Sequence, residues 1–291
     1  MPTAMMDFYA DWVAILRSEL AAVGYPAPAG IEGQDICFRY FNYRKRAVDV
    51  RPRAVKESAE FVVPDGHEAG YEALKQKIEA GDDLRPHLSR KLTDPDYHDP
   101  MLNDWGIHHF HLGTITARGG FVTRTGPLLY ARVLDDRVLC LQVMSHANWT
   151  NQGLIEIWNN NWPQTLAPYK LKGLSAAVPQ LTDEEFKTLR AGKVNTLLRL
   201  ADGTLVAPPG GGIDTSGLSA QVVDDCDWYA HKMKEIEKHV QSKLDDIIDA
   251  AKSDKVALPE NCVFKLRVQD GRFVAVEESA NWGVVVFTPP E

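Results

Sequence analysis

Residues 138–144, Val-Leu-Cys-Leu-Gln-Val-Met, form an almost continuous apolar run. Leu128-Leu129-Tyr130-Ala131-Arg132-Val133-Leu134 precedes it, and Asp135-Asp136 separates the two. This is the pattern of a β-hairpin. Side chains alternate between the two faces of a sheet. A strand that is apolar at nearly every position therefore has no face to give to water. It belongs in the interior of a sheet, covered on both sides. The rest of the chain must supply its neighbours and its cover. The run ends in Ser145-His146, which places an ionisable ring where a central strand gives way to a loop.

A neighbour is found in Asp104-Trp105-Gly106-Ile107-His108-His109-Phe110-His111-Leu112-Gly113, where three of the nine histidines fall within four residues. Aromatic and β-branched residues between turn residues again read as a strand. Alternation puts Ile107, His109 and His111 on one face and His108, Phe110 and Leu112 on the other. The second set suits a core-facing side. His109 and His111 then lie about 7 Å apart, from the rise of a strand. Between the two regions runs a glycine- and arginine-rich loop that contains Arg118 and Arg124.

Elsewhere the periodicity alternates between helix and strand. Phe8, Trp12, Ile15, Leu16 and Leu20 make one apolar stripe over residues 5–23, ended by Gly24-Tyr25-Pro26-Ala27-Pro28. Residues 34–50 read as two strands around the charged turn Arg44-Lys45-Arg46. Tyr71, Leu74 and Ile78 predict a helix over 68–80, stopped by Gly81. Residues 82–104 read as irregular structure leading to the histidine strand. Helices follow at 152–160 and at 182–191, the second with Thr182 and Glu185 as a capping box. Residues 197–206 form a hairpin on Asp202-Gly203. The loop Pro208-Pro209-Gly210-Gly211-Gly212 lacks the Lys-Ser/Thr pair of a phosphate-binding loop. Residues 218–252 are the longest helix, with a stripe from Val222 to Ile247 that suits packing on a sheet or on a second copy of the chain. Strands at 262–268, 273–276 and 283–287 close the chain. The expected fold class is α+β: mostly antiparallel sheet with helices packed on it, and a long C-terminal helix. Two parts are expected, 1–165 and 166–291, meeting near residues 163–195 or merging into one continuous domain.

A hydrophobic fraction of 44% and a charged fraction of 25% are those of an ordinary globular protein. The net charge of -8 argues against a broad nucleic-acid coat. One segment departs from this balance. From Arg39 to Lys56, the basic residues Arg39, Arg44, Lys45, Arg46, Arg51, Arg53 and Lys56 are opposed only by Asp49. Phe38, Tyr40, Phe41 and Tyr43 interleave with them. Cations mixed with stacking aromatics are what a single-stranded nucleic acid requires, so this segment is the candidate RNA-binding surface. A solvated hairpin with core aromatics is the plainer alternative. Cys37, Cys140, Cys226 and Cys262 have no metal-motif spacing and read as buried thiols of a reducing compartment. No stretch of 18 or more apolar residues and no signal peptide is present, so a cytoplasmic location without membrane partners is expected.

The run from Leu102 to His146, with Trp162, resembles a group of uncharacterised bacterial proteins that share a Trp-Gly-Ile-His-His-aromatic-His-Leu string. That resemblance brings no activity with it. A polar approach, a strand, a loop and a hairpin ending in a histidine are also similar to the sheet of RelE-type ribonuclease toxins, over about 50 residues. Such toxins carry scattered His, Arg, Lys and Tyr on their strands, and this resemblance implies a ribonuclease. The present chain is far longer, and its triple-histidine strand is not their pattern.

Three functional readings follow from the residues themselves. Metal-independent RNA cleavage needs a base for the 2′-hydroxyl, an acid for the leaving oxygen and a cation on the phosphate. His109 or His111 with His146 can supply the first two, and Arg118 or Arg124 the third. This reading needs no cofactor. A zinc site is the second: His109, His111 and His146 as ligands, with a carboxylate such as Asp104 completing the set. The third is a non-catalytic binding or regulatory protein whose histidines are satisfied polar residues of a sheet.

Overall fold

In the computed structural model, which describes residues 3–28, 30–117, 119–173 and 180–289, the apolar run is an interior strand of a four-stranded sheet. In chain order the helices are α1 (Phe8–Ala22), α2 (Gly33–Arg46), α3 (Glu68–Ala80), α4 (Pro100–Trp105), α5 (Gly153–Asn161), α6 (Pro163–Leu166), α7 (Asp183–Ala191), α8 (Ala220–Ser242) and α9 (Leu244–Ser253). The strands are β1 (Thr3–Met5), β2 (Ala54–Glu57), β3 (His108–His111), β4 (Pro127–Val133), β5 (Arg137–Ser145), β6 (Lys170–Leu171), β7 (Leu198–Arg199), β8 (Leu205–Val206), β9 (Asn261–Gln269), β10 (Arg272–Glu277) and β11 (Trp282–Phe287). The fold class is α+β, with most strand pairs antiparallel and the long helix α8 near the C-terminus.

The chain divides into two compact units, but not at a single cut near 163–195. One comprises residues 42–223, and the other combines residues 1–41 with 224–291. In the unit of residues 42–223 the main sheet has the order β2-β5-β4-β3. The hairpin β4–β5 and the pair β3–β4 are antiparallel, whereas β2 joins β5 in parallel. The register sets His109 opposite Tyr130 and His111 opposite Leu128. Leu139 and Leu141 of β5 pack with Leu154, Ile155 and Trp158 of α5 and with Trp105 and Phe186. Cys140 points the other way, and its Sγ accepts the Tyr71 hydroxyl of α3 at 3.9 Å. The strand is thus covered on both faces, as its composition demands. Burying each such large side chain contributes about 1.5–3 kcal/mol, so this sandwich is the main stabiliser of the unit. A small sheet of order β6-β8-β7 completes it.

In the other unit the sheet has the order β1-β9-β10-β11, with β1 parallel to β9 and the rest antiparallel. Asp270 and Gly271 both have positive φ, 50° and 73°, which closes the β9–β10 hairpin with the twist that a two-residue turn needs. Trp12 of α1 stacks on Tyr229 at 5.4 Å, and Phe41 stacks on the same ring at 5.4 Å.

Two local expectations are corrected. Residues 34–50 are not two strands: α2 runs through Gly33–Arg46. Ile36 and Tyr43 lie seven residues apart and are both buried, as are Asn42 and Arg46 four apart, which is helical spacing. A short aromatic run fits either period, and tertiary burial selected the helix. The helix expected over 218–252 is also two, because α8 ends at Ser242 and α9 begins at Leu244. The stripe that suggested a dimer seam, including Cys226, Met233, Ile236 and Val240, is buried within its own chain. Helices 5–23, 68–80, 152–160 and 182–191 form as expected, the last with both arms of its capping box.

Candidate functional site

The histidine strand follows a short helix, and that helix decides its geometry. Pro100 fits the first turn of α4, and Asp99 caps it, its Oδ1 accepting the N–H groups of Met101 and Leu102 at 3.1 and 3.0 Å. Gly106 ends α4 with φ 68°, a conformation that costs glycine nothing, and turns the chain into β3. The cap leaves the second carboxylate oxygen of Asp99 free to face β3. It lies 3.8 Å from Nδ1 of His109, an ion-pair distance once that ring carries a proton.

His109 also faces His146, with ring centroids 6.1 Å apart and the planes at 72°. His146 begins the short 3-10 turn after β5 and is exposed, whereas the His109 side chain is 18% exposed. The sequence placed these two rings together, and the structure does so by putting β3 and the end of β5 on either side of β4. Burial, then the charges of His109 and Arg124, hold His146 below the ordinary imidazole range. It is therefore neutral near pH 7. Arg124, exposed on the loop before β4, lies near enough to depress both His146 and His111. Arg118 lies outside the described residues.

His111 takes a different part. It is 3% exposed, and its Nδ1 faces the Thr125 N–H at 3.4 Å. Its carbonyl accepts from the buried His87 ring at 2.8 Å. Burial, then Arg124 and the neighbouring histidines, pushes its pKa down to about 4. His111 is thus a neutral ring inside the sheet rather than an open group of the cleft. His108 is more extreme. Burial pushes it down to about 3, against the opposing pull of Asp99 and of a main-chain group of Lys45, and neither ring nitrogen makes a hydrogen bond of normal geometry.

The zinc reading finds no ligand set. Among the described residues no group of three or more His, Cys, Asp or Glu side chains is arranged to hold a metal ion, the three histidines included. Asp104, offered as the completing carboxylate, belongs to another structure: its Oδ2 accepts from Nε and Nη2 of Arg190 at 3.1 and 2.7 Å.

The basic segment is largely committed to the fold. Arg53, 5% exposed, donates to the carbonyls of Leu134 at 2.9 Å and Asp49 at 2.7 Å. Arg46, also 5% exposed, donates to the carbonyls of Asn42 and Lys91. Lys45 Nζ donates to the Gly210 carbonyl and the Ser219 hydroxyl, both at 2.7 Å. Arg44 pairs with Asp49, and Arg51 with Asp135 and Asp49. Arg39 lies on α2 with Arg44, Lys45 and Arg46. Arg53, Arg46 and Lys45 are thus held by acceptors of the fold, while Arg44 and Arg51 stay half exposed.

Asp99 is the residue of this cluster that sequence reasoning missed. The Asp99-Pro100 pair before Met101-Leu102 is a helix N-terminus signal, but the surrounding prolines and aspartates masked it. The fold and site together define an α+β protein with a pair of neighbouring histidines, one of them facing a carboxylate. No protein-family model, no curated protein and no solved structure matches the chain. Among the described residues no helix is long and apolar enough to cross a membrane.

Proposed function

We propose that His109 and His146 are the acid and base of a metal-independent ribonuclease-type reaction, acting on a short ribonucleotide phosphodiester. The observation that carries this reading is the juxtaposition itself: a carboxylate-braced ring and a neutral, exposed ring 6.1 Å apart, with an arginine beside them. Neutral His146 takes the proton of the 2′-hydroxyl as its oxygen attacks phosphorus. Protonated His109, paired with Asp99, gives its proton to the departing 5′ oxygen as the P–O bond breaks. A 2′,3′-cyclic phosphate and a free 5′-hydroxyl result, and the protein ends with the proton moved from one ring to the other. Arg124 meets the phosphate oxygens as their charge grows. His111 holds the strand and takes no proton. The tied-up basic segment argues for a short substrate over a long strand, which needs many phosphate contacts.

The test is cleavage of a ribodinucleotide followed by phosphorus NMR, with chelator present. The cyclic phosphate is expected, and alanine at His109 or His146 should each lower the rate by about 10²–10⁴-fold at unchanged unfolding temperature. A parent protein that yields no cyclic product refutes the proposal. So does a His146→Ala protein that cleaves at the parent rate.

A further inference from the structure

His109 and His146 sit on different elements, so something must fix the gap between them. The strand that separates them, β4, carries one residue that reaches both. Tyr130 is 1% exposed and lies directly opposite His109 in the β3–β4 ladder. The two rings are tilted by 41°, with their centroids 6.5 Å apart. At its other end the same side chain donates its hydroxyl to the Ser145 carbonyl at 3.2 Å. Ser145 pairs with Pro127, three positions from Tyr130 and about 10 Å along the strand, so the ring leans toward the end of β5. The ladder is irregular at this residue: Tyr130 faces Gln142, but Ala131 faces Cys140, so β5 carries one extra residue. Such bulges re-aim side chains beside functional sites.

The Ser145 carbonyl belongs to the peptide that leads into His146. The N–H of that same peptide, on His146, donates to the Gly126 carbonyl at 3.1 Å. The peptide is therefore held at both ends, and both holds come from β4 or the residue before it. A peptide fixed in plane and tilt sets the direction in which the next side chain leaves the backbone. Asn148 also donates to the Ser145 carbonyl, at 3.3 Å, but from within the turn, so it makes no link to β3. Burial, then the charge of Asp99, pushes the Tyr130 hydroxyl above its ordinary value, which keeps it a donor.

We propose that Tyr130 is the positioning residue of the histidine pair, seating His109 against its ring and His146 through its hydroxyl, and so fixing the gap between them. The catalytic consequence of this spacing rests on the ribonuclease reading, whereas the spacing itself does not.

Tyr130→Phe keeps the ring and removes only the hydroxyl. Because Ser145 is exposed and its carbonyl keeps Asn148, the variant should fold with a thermal midpoint close to the parent's. The first readout is the NMR titration of the His146 ring in the full chain, for the parent, Tyr130→Phe, His109→Gln and the double variant. Burial, then His109 and Arg124, depress that ring in the parent. His109→Gln should therefore move its titration up. Tyr130→Phe should also move it up, as the ring leaves its seat, and His109→Gln should then add little. A titration that Tyr130→Phe leaves unchanged, with the full response to His109→Gln retained, overturns the proposal. If Tyr130→Phe does not fold, the parent decides alone: a Tyr130 hydroxyl proton in free exchange with water overturns the proposal, and a protected one supports it. The second readout is cleavage of the ribodinucleotide, where Tyr130→Phe should lower kcat about 10²-fold at unchanged KM. An unchanged kcat in an active parent overturns the proposal. A parent without activity removes the ribonuclease reading, and the titration then decides the role of Tyr130.

Discussion

Replacing Arg190 by Met should be among the most damaging single changes at any charged position of this chain. Its side chain is 4% exposed and that of Asp104 13%. The guanidinium donates twice to Asp104 and once to the Trp149 carbonyl. It also lies 4.2 Å from the ring centroid of Trp105 and 5.7 Å from that of Trp149. Methionine keeps the apolar stem and removes all of this, leaving a buried carboxylate without its cation. Losing one partner of a buried pair costs about 3–5 kcal/mol. Asp104 can limit the loss by taking a proton, and burial already pushes its carboxyl up against the pull of Arg190. The sign follows from linkage. A carboxyl whose folded pKa lies above the unfolded value of about 3.9 binds its proton more tightly in the native state, so stability falls as pH rises through the folded pKa. Without Arg190 that pKa rises further. The deficit of Arg190→Met should therefore be largest near neutral pH and smaller at about pH 4. Urea unfolding at both pH values measures it. The double variant Asp104→Leu/Arg190→Met, which leaves no buried charge, should recover most of the loss. A single-variant loss below about 1 kcal/mol at neutral pH would refute the reasoning, as would a double variant no more stable than the single one.

Three further outcomes follow from the same geometry. Gly70→Ala should be destabilising by about 1–3 kcal/mol in urea unfolding although alanine is the better helix former, because an added Cβ overlaps the Leu112 carbonyl at the end of the histidine strand. His108→Leu should be neutral or stabilising at pH 7, since it removes two buried, unpartnered nitrogens. It should also flatten the acid limb of stability: His108 and His111, with folded values of about 3 and 4 below the unfolded 6.5, favour the fold above pH 6.5 and lose that contribution as pH falls through their folded values. Arg124→Ala, on an exposed loop, should lower ribodinucleotide cleavage by about 10²-fold while leaving the urea midpoint unchanged, and an unchanged rate would remove Arg124 from the site.

By itself the sequence determined the elements whose periodicity is long or whose ends are marked. The stripe of Phe8, Trp12, Leu16 and Leu20, the Thr182–Glu185 box and the Asp270-Gly271 turn each carry a local physical signal, and each formed. The almost continuous apolar character of residues 138–144 required an interior strand, and strand alternation with the chain path brought His109 and His146 together. Only the tertiary structure decided matters that depend on partners distant in sequence. Residues 36–46 are short enough to satisfy either period, and burial of Ile36, Asn42, Tyr43 and Arg46 chose helix. Ala54–Glu57 is a strand because the edge of β5 was there to pair with it. Arg46 and Arg53, cations on the page, became buried donors because carbonyls at Lys91 and Leu134 needed them. Asp99 reached His109 only through the cap of α4. A side chain's charge and hydrogen-bonding capacity are written in the sequence, but what it meets is fixed by packing.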